Sequence, residues 1–326
     1  STVARSSFVM RVLVTGGTGY IGATAVDVLF SQGYEISILD DCSTGHADTA
    51  PAGVSFIQGS LLNAGDLAQA LVGVDAVMHF AGKSLVGESV EKPDLYHQVN
   101  VNGSRKLLDE MHKSGVTKLV FSSSAATYGE PERVPILETA PTNPTNPYGA
   151  TKLEIDQMIT AEAASRGIAA ASLRYFNVAG ALKSKRGWLA ERHNPETHLI
   201  PNVLRSTKEN PVKIFGTDWP TADGTCVRDY VHVVDLIDAH IKALESLQPG
   251  VHEIYNLGSG DGYSVREVVT AASRAAGHEI PTLDSPRRAG DPAVLIADIN
   301  KAKTKLGWSP TRGIEVMVAD TLAALS

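Results

Sequence analysis

Residues 10–22 read Met-Arg-Val-Leu-Val-Thr-Gly-Gly-Thr-Gly-Tyr-Ile-Gly, and the rest of the chain is best interpreted outward from this segment. Arg11–Thr15 is apolar and rich in β-branched residues, which predicts a buried strand, and helical spacing of apolar residues runs through 23–30. Between them, glycines let the chain turn tightly and let its backbone approach a pyrophosphate at the positive end of the helix. This order of strand, glycine-rich turn and helix predicts a dinucleotide site. Its expected contacts are Gly16, Gly19, Tyr20, Ile21 and Gly22.

Strand and helix patterns alternate from this segment to residue 174. Strand patterns lie at Glu35–Asp40, 76–80, 118–122 and 170–174, and helix patterns lie at 66–71, 104–114 and 151–166. Such alternation is typical of a parallel sheet with helices on both faces. The sequence therefore predicts an α/β protein with a Rossmann-type, doubly wound parallel sheet.

The alternation stops beyond residue 180, where polar, proline-rich and glycine-rich stretches begin. We predict a cofactor-binding domain at 10–180 and a smaller, interleaved C-terminal substrate domain at 181–326. Parts of about 228–258 again have strand and helix patterns, so they are expected to rejoin the sheet. Residues 1–9 precede a Met-Arg pair typical of a start, and we expect them to be a tag remnant or a loose extension.

The composition argues against several classes of protein. The 326 residues carry a formal net charge of -7 and contain no dense Lys/Arg run, which argues against nucleic acid as a partner. No apolar stretch approaches the roughly 20 residues needed to cross a bilayer, so no membrane partner is expected. The two cysteines, Cys42 and Cys226, are too few for a disulfide framework and lack the spacing of a metal site. We therefore expect a cytoplasmic protein without a bound metal.

A carboxylate ends the second predicted strand. Asp40 lies about 20 residues after the glycine-rich turn, where it can accept hydrogen bonds from the ribose hydroxyls of adenosine. Asp41 and Cys42 follow it, and two adjacent carboxylates repel the 2′-phosphate of NADP. The predicted cofactor is therefore NAD. Ala81 and Gly82, after the next strand pattern, are expected to give a second close approach of the backbone to it.

Two polar residues near the predicted cofactor site have alternative interpretations. His79, at the end of its strand, is interpreted as a histidine with satisfied hydrogen bonds rather than as a catalyst. Asn100, at the start of a predicted helix at 101–111, is either a helix cap or a residue that positions the site. Both alternatives for Asn100 have equal weight.

The candidate chemical group consists of Tyr148, Lys152 and Ser124. Asn146-Pro147 predicts a helix start, so Tyr148 and Lys152, four residues apart, share one helical face. A lysine ammonium favours a phenolate, and we predict that it lowers the pKa of Tyr148 enough for a base near neutral pH. Ser124 ends the preceding strand, at the edge where open α/β sheets bind ligands. The group predicts hydride transfer, in which Tyr148 takes the proton of a carbinol and the nicotinamide takes the hydride.

These motifs resemble those of the extended short-chain dehydrogenase/reductase family. Besides 10–22, the resemblance rests on Phe121-Ser122-Ser123-Ser124, Tyr148-x-x-x-Lys152 and Arg174-Tyr175-Phe176-Asn177, and it extends almost to the C-terminus. It implies further cofactor contacts at Ser60, Leu61, Phe80, Lys83, Ser122 and Tyr175, in addition to Asn100, Tyr148 and Lys152. It also implies a homodimer formed through helices of the N-terminal domain.

Within that family, the segment after Ser124 is similar to that of nucleotide-sugar epimerases. Dehydratases of the family carry an Asp-Glu pair where this chain has Ala125-Ala126, and related decarboxylases carry a glutamate at the second position. Motifs at 86–90, 198–201, 214–218, 223–232 and 287–291 resemble epimerases that interconvert UDP-galactose and UDP-glucose through a transient 4-keto sugar. The resemblance implies that a UDP-sugar substrate contacts Ser124, Tyr148, Asn177, His198, Leu199, Arg228, Arg288 and Asp291.

Other functions stay open on the sequence alone. One is an epimerase of another UDP-sugar, either an N-acetylhexosamine or a uronic acid, and Leu295 aligns with a position whose size tunes tolerance for the N-acetyl group. A second is a non-catalytic NAD-binding regulator on the same fold, and a third is a simple dehydrogenase. Ser60 stands where the family often has an aspartate that contacts adenine, so its contact with NAD is expected to be weaker, and the sequence leaves open how tightly NAD is retained.

Overall fold

The computed structural model describes residues 9–43, 45, 47, 50–192 and 198–326. The extension expected at 1–9 therefore lies outside the described residues, except for its last residue. The strands are β1 Arg11–Thr15, β2 Glu35–Asp40, β3 Ser55–Gln58, β4 Ala76–His79, β5 Lys118–Ser124, β6 Ala169–Tyr175, β7 Asn177–Ala179, β8 Leu182–Ser184, β9 Gly187–Leu189, β10 Val212–Phe215, β11 Val227–Arg228, β12 Tyr230–His232, β13 His252–Leu257, β14 Tyr263–Ser264, β15 Thr282–Ser285 and β16 Val294–Leu295. The α-helices are α1 Tyr20–Ser31, α2 Ala64–Ala70, α3 Val86–Glu91, α4 Pro93–Tyr96, α5 Gly103–Ser114, α6 Pro147–Arg166, α7 Leu199–Leu204, α8 Val233–Glu245, α9 Val265–Ala276, α10 Asn300–Leu306 and α11 Ile314–Leu325. A π-helical turn, His97–Asn102, lies between α4 and α5.

Seven strands of the described chain form one parallel sheet, in the order β13-β6-β5-β4-β1-β2-β3. The strand order changes direction between β1 and β4, as it does in doubly wound α/β folds. In such folds a ligand binds outside the carboxyl ends of the strands, at this point of reversal. The predicted fold class is confirmed, and the topology shows where its ligand site should lie.

Side chains alternate along β1 and are buried on both faces of the sheet. Val12 and Val14 belong to the apolar cluster that contains α1 and α8, whereas Leu13 belongs to the cluster that contains α2, α5 and α6. All three side chains have no exposed surface. Burying each of them stabilises the fold by about 2 kcal/mol. A strand that is covered on both faces is apolar at every position, which is why the Val-Leu-Val run predicts the centre of a parallel sheet.

The C-terminal part of the chain forms a second, smaller lobe. Within the described ranges it contains the short sheets β10-β15, β14-β11-β16 and β8-β9, and α7, α9 and α11 surround an apolar cluster of its own. Residues 228–258, all of which are described, divide between the two lobes. In this segment β13 pairs with β6 at the edge of the main sheet, α8 packs on one face of that sheet, and β12 pairs with β7.

The start of α6 and the strand β3 show what local sequence reveals. The helix begins at Pro147, and the side chain of Asn146 caps it by accepting a hydrogen bond from the backbone N–H of Gly149 at 2.8 Å. The Asn-Pro pair predicts this start, although the periodic apolar pattern begins a turn later.

Ser55–Gln58 was not predicted as a strand, because it lies at the edge of the sheet and is only partly buried. A partly exposed edge strand has no continuous apolar run.

Candidate active site

The carboxyl ends of the sheet strands border a cleft of about 610 Å³. Most of the residues that the sequence singles out line this cleft. They are Gly16, Gly19, Tyr20, Ile21, Gly22, Asp40, Ser60, Leu61, Phe80, Ala81, Gly82, Lys83, Ser122, Ser124, Tyr148, Lys152, Tyr175, Asn177, His198 and Arg228. Phe176 and Asp229 also line it, although sequence analysis assigned neither of them a role.

The glycine-rich turn packs so closely that two of its positions exclude a side chain. Gly16 has φ +70°, and a Cβ atom there would lie 2.7 Å from the backbone nitrogen of Ala81. A Cβ atom at Gly22 would lie 2.1 Å from the carbonyl oxygen of Gly16. Helix α1 follows with Gly19 as its N-cap, and no described side chain caps it. Its first turn has no acidic residue, so its positive end can attract an anion at the cleft.

Asp40 fastens this turn to the end of β2. Its carboxylate accepts hydrogen bonds from the backbone N–H and the hydroxyl of Thr18, at 3.0 and 2.6 Å, and from the backbone N–H of Cys42 at 2.7 Å. Asp40 is predicted to contact the ribose of a cofactor, and it lies in the cleft where it can do so. Thr18 was not predicted as part of the site, because its neighbours in the sequence do not distinguish it from a surface threonine.

Asn100 is buried in the π-helical turn and is not a helix cap. Its side-chain oxygen accepts a hydrogen bond from the backbone N–H of Lys83 at 2.8 Å, and its amide nitrogen donates to the carbonyl oxygen of Lys83 at 3.0 Å. The amide also donates to the hydroxyl of Thr151 on α6 at 3.2 Å. Of its two interpretations, the cap is therefore wrong. Asn100 fixes the backbone after Gly82 at the wall of the cleft.

Tyr148 and Lys152 lie one turn apart on α6 and face the cleft. The backbone N–H of Tyr148 donates to the hydroxyl of Ser89 at 3.1 Å, which ties the start of α6 to α3. The Lys152 ammonium donates to the carbonyl oxygen of Ser122 at 2.8 Å and lies 4.9 Å from the centre of the Phe121 ring. It lies 5.8 Å from the centre of the Tyr148 ring. The structure therefore brings the predicted phenol, ammonium and strand end into one place.

The protonation of this group differs from the sequence-based prediction. Burial lowers the pKa of Lys152 to about 8, although the negative charge of Asp156 opposes this effect. Burial also raises the pKa of Tyr148, and a hydrogen bond with Ser124 only partly offsets the rise. Burial therefore opposes the predicted effect of Lys152 on the pKa of Tyr148. Removal of the phenol from water outweighs a cation more than 5 Å from its ring.

His79 is a neutral histidine with hydrogen-bond partners at both ring nitrogens, in agreement with its interpretation from the sequence. One ring nitrogen, Nδ1, is 2.6 Å from the hydroxyl of Thr15, and the other is 2.9 Å from the hydroxyl of Ser104. Burial lowers the pKa of His79 to about 3. A ring with both nitrogens occupied and no exposed edge cannot exchange protons with a substrate.

His240 on α8 supports two residues of the cleft, and sequence analysis missed it. Its Nδ1 lies 2.8 Å from the carbonyl oxygen of Leu236, so this nitrogen carries the proton, and Nε2 accepts a hydrogen bond from the Tyr175 hydroxyl. Its ring packs between Phe80 and Tyr175, with ring centres 5.1 and 5.3 Å away. Burial lowers the pKa of His240 to about 4, so the ring is neutral.

The far end of the cleft is polar. Arg228 lines this end and donates to the carbonyl oxygens of Val227 and Pro292 at 2.8 and 2.9 Å. Asn177 donates from its amide to the carbonyl oxygen of Asp229 at 3.0 Å. His198 lies 2.9 Å from a carboxylate oxygen of Glu191 in the cleft wall. Leu199 lines an adjoining cavity of about 140 Å³.

Two predicted substrate contacts, Arg288 and Asp291, do not line the cleft formed by the described residues. They form an ion pair with each other at 2.9 Å, and the Arg288 guanidinium stacks 4.5 Å from the centre of the Phe215 ring. Because they lie three residues apart on one loop, each is the ion-pair partner of the other. Both charges nevertheless act on Cys226, together with that of Arg228, so the pair lies close to the polar end of the cleft.

Asp229 is a fully buried carboxylate beside this polar end. It accepts hydrogen bonds from the backbone N–H and the hydroxyl of Ser259 at 2.6 and 2.7 Å, and from the N–H groups of Gly260 and Ala297 at 3.1 and 3.0 Å. It thereby joins three loops behind Arg228. The sequence places Asp229 inside a motif but does not show that its role is structural.

Two other kinds of feature are absent from the part of the chain that the structure describes. No group of three or more His, Cys, Asp or Glu side chains there is arranged to hold a metal ion. None of the described helices is long and apolar enough to span a membrane.

Comparisons with known proteins agree on one family. Residues 12–258 match the model of the NAD dependent epimerase/dehydratase family. The chain is 52% identical over 320 residues to the UDP-glucose 4-epimerase of Corynebacterium glutamicum, covering 97% of this chain and 96% of that protein. A structure of UDP-glucose 4-epimerase from Brucella ovis in complex with NAD superposes with a TM-score of 0.91 at 39% identity, covering 96% and 97% of the two chains. A structure of the enzyme from Bifidobacterium longum in complex with NAD+ and UDP gives 0.87 at 37% identity, with the same coverage.

Proposed function

The chain belongs to the NAD dependent epimerase/dehydratase family, and from its active site we propose that it is an NAD-dependent isomerase that interconverts UDP-galactose and UDP-glucose. One observation carries the proposal. Ser124, Tyr148 and Lys152 line the same cleft as the glycine-rich turn, so a phenol and a dinucleotide site face one substrate volume. The named relatives are UDP-glucose 4-epimerases, which supports this reaction over others of the family.

The residues of the cleft fit NAD. The positive end of α1, which lacks a side-chain cap among the described residues, suits the pyrophosphate, and Asp40 suits the adenosine ribose. Asp41 stands beside Asp40 in the cleft and repels a 2′-phosphate, which favours NAD over NADP. We propose that Ser60 and Leu61 border the adenine, and that Phe80, Lys83, Ser122 and Tyr175 border the rest of the cofactor.

The proposed base is Tyr148, which accepts the proton of the sugar's C4 hydroxyl. Ser124 donates a hydrogen bond that stabilises the phenolate, and Lys152, as an ammonium, favours the same charge state. When bound, NAD would supply the acceptor for the C4 hydride and the donor that returns it, and its positive charge would further favour the phenolate. Tyr148 returns its proton to the 4-oxygen after the 4-keto sugar has presented its other face. The configuration at C4 is inverted, and no net oxidation occurs.

This mechanism requires that UDP be held while the sugar turns. Arg228 is the proposed ligand of the diphosphate, because a guanidinium matches phosphate oxygens with paired hydrogen bonds. Asn177, His198 and Leu199 lie along the same end, and we propose that they contact UDP as well. Arg288 and Asp291 join them only if their ion pair opens on binding.

The residues after Ser124 favour epimerisation over elimination. Ala125 and Ala126 line the cleft with methyl groups, where a dehydratase needs an acid and a base. An epimerase needs neither. Of the alternative substrates, a UDP-uronic acid has less support, because no additional cation among the described cleft residues is assigned to its sugar carboxylate. Leu295 lines the cleft and remains the proposed determinant of tolerance for an N-acetyl group.

Three further proposals concern organisation and location. We propose a homodimer formed through helices of the N-terminal domain. We propose a cytoplasmic location, supported by two free cysteines, Cys42 and Cys226, in the described chain. We also propose that 10–180 and 181–326 act as cofactor and substrate domains, with β13 shared between them.

Incubation of the purified protein with UDP-galactose tests the reaction. Chromatography of the nucleotide sugars should show a mixture with UDP-glucose, without added NAD and without net formation of NADH. Parallel incubations with UDP-N-acetylgalactosamine and UDP-glucuronic acid separate the alternative substrates. Formation of stoichiometric NADH would instead indicate a simple dehydrogenase. No conversion of any sugar, even with NAD supplied, would contradict the proposal and favour a binding protein.

A further inference from the structure

A buried ion pair lies directly behind the catalytic residues. Asp156 on α6 and Arg174 on β6 have only 2% and 3% of their surface exposed. The Asp156 carboxylate accepts hydrogen bonds from the Arg174 guanidinium at 3.1 and 3.2 Å, and from the hydroxyl of Ser123 at 2.9 Å. A pair removed from water in this way is costly unless it is well paired, and a hydrophobic pair often serves stability equally well. Its presence here therefore calls for a reason other than stability.

The pair is connected to Lys152 through the same helix and the same strand. Asp156 follows Lys152 by four residues, so the two side chains lie on one face of α6. Lys152 donates to the carbonyl oxygen of Ser122, and Asp156 accepts from the hydroxyl of the next residue, Ser123. The second carboxylate oxygen, Oδ1, is buried and has no hydrogen bond of good geometry among the described residues, although the nearby hydroxyl of Ser172 helps to lower the pKa of Asp156.

Asp156 is the anion among the titratable groups that surround Lys152. On α6 these groups are Tyr148 and Asp156, and on β4 the group is His79, while Tyr175 on β6 lies close to Tyr148 and Ser122. Burial lowers the pKa of His79 to about 3 and raises the pKa values of both tyrosines, so all three are neutral near pH 7. Without Asp156, nothing in this set opposes the loss of the lysine proton on burial.

The groups that face Asp156 hold its negative charge in place. Burial raises the pKa of Asp156, and the Arg174 guanidinium acts in the opposite direction. Arg174 also stacks 4.9 Å from the centre of the Tyr128 ring, and the Tyr128 hydroxyl donates to Asn256 at 2.6 Å. His252 on β13 is nearby, and burial lowers its pKa to about 4, so it is neutral. Arg174 is thus the counter-ion that permits a carboxylate at this depth.

We propose that Asp156, paired with Arg174, is a positioning residue that keeps Lys152 in its ammonium form at the active site. The inference rests on the proposed function, in which the ammonium favours the Tyr148 phenolate, and on the cofactor contact that the family resemblance implies for Lys152. Asp156 does not line the cleft. It acts through Lys152, and its effect is therefore a shift of a pH dependence rather than a loss at every pH.

The test compares pH profiles of wild type and Asp156→Asn. Asparagine keeps the shape and the hydrogen bond with Ser123 but removes the charge. We expect the alkaline limb of kcat, which follows loss of the Lys152 proton above about pH 8 in the wild type, to move down by about one unit. At pH values above the alkaline limbs of both proteins, turnover of the variant should be about tenfold lower than that of the wild type. The matched control is Ser123→Ala, which removes a hydrogen bond from the same carboxylate but keeps its charge, and its limb should not move.

Two additions keep the result interpretable. Because Asp156→Asn leaves a buried cation unpaired, the double variant Asp156→Asn with Arg174→Gln is included, and it should show the same shift with a more stable fold. The affinity for NAD, measured by fluorescence titration over the same pH range, should show the same shift without any sugar. If the wild type converts no UDP-sugar but its NAD affinity shifts as expected, the proposed function fails and this inference stands. The inference would be overturned if Asp156→Asn is folded but the alkaline limb of its kcat profile matches that of the wild type. It would also be overturned if the alkaline limb of Ser123→Ala moves as far as that of Asp156→Asn.

Discussion

Replacement of Gly22 by alanine should damage both the fold and the cofactor site. A Cβ atom at this position would lie 2.1 Å from the carbonyl oxygen of Gly16 and 2.8 Å from its carbonyl carbon, whereas real Cβ contacts are not shorter than 3.0 Å. The turn and α1 must therefore separate by roughly 1 Å. Overpacking costs about 1–3 kcal/mol, and the upper value applies because backbone meets backbone and no side chain can turn away. For a chain of this length, that corresponds to a fall of roughly 5 °C in Tm.

Thermal unfolding followed by circular dichroism measures the effect, and titration with NAD measures its consequence for the site. The same substitution at Gly87 in α3 is the control, because a Cβ atom there meets nothing within 4 Å. Its Tm should equal or slightly exceed that of the wild type, since alanine favours a helix over glycine. If Gly22→Ala unfolds within about 1 °C of the wild type and binds NAD equally well, the reasoning from close packing is refuted.

Three further predictions concern proton transfer and protonation. Tyr148→Phe should lower turnover by about 100- to 10,000-fold while leaving UDP binding nearly unchanged, and wild-type turnover in this variant would exclude Tyr148 as the base. Lys152→Ala should move the pH optimum of kcat upward, because the phenol loses a nearby cation, and an unchanged optimum would contradict this. Burial lowers the pKa of His79 to about 3 and those of His240 and His252 to about 4 from the usual 6.5. The unfolded chain therefore binds protons that the folded chain cannot, so the free energy of unfolding should fall as pH drops from 6.5 towards 4, which chemical denaturation at several pH values measures.

The sequence predicted those parts of the site whose signal is local. The turn at Gly16 and Gly22 follows a strand and opens a helix, so a short stretch of sequence is enough to predict its close packing. Tyr148 and Lys152 share a helix whose start is marked by an Asn-Pro pair. In each case a short-range rule of backbone or helix geometry sets the position of the side chain.

The sequence did not predict features that depend on tertiary contacts or on the conformation of a loop. His240 comes from a helix 65 residues beyond Tyr175, its hydrogen-bond partner, and nothing in α8 marks it as different from a surface histidine. Arg288 and Asp291 were expected in the cleft, but their mutual ion pair on one loop depends on local geometry that a motif does not contain. The pKa of Tyr148 depends on desolvation, which only a folded structure defines.

The pairing of β13 with β6 has a consequence for how such proteins diversify. The strand that completes the sheet comes from residues 252–257, which follow the first segments of the second lobe in the sequence. A fragment ending at residue 180 would expose one edge of β6, a strand whose seven residues are all buried, and we expect it to aggregate. The two halves therefore cannot be exchanged between relatives like separate modules. New sugar preferences are expected to arise by substitution within the loops around the cleft rather than by recombination of whole domains.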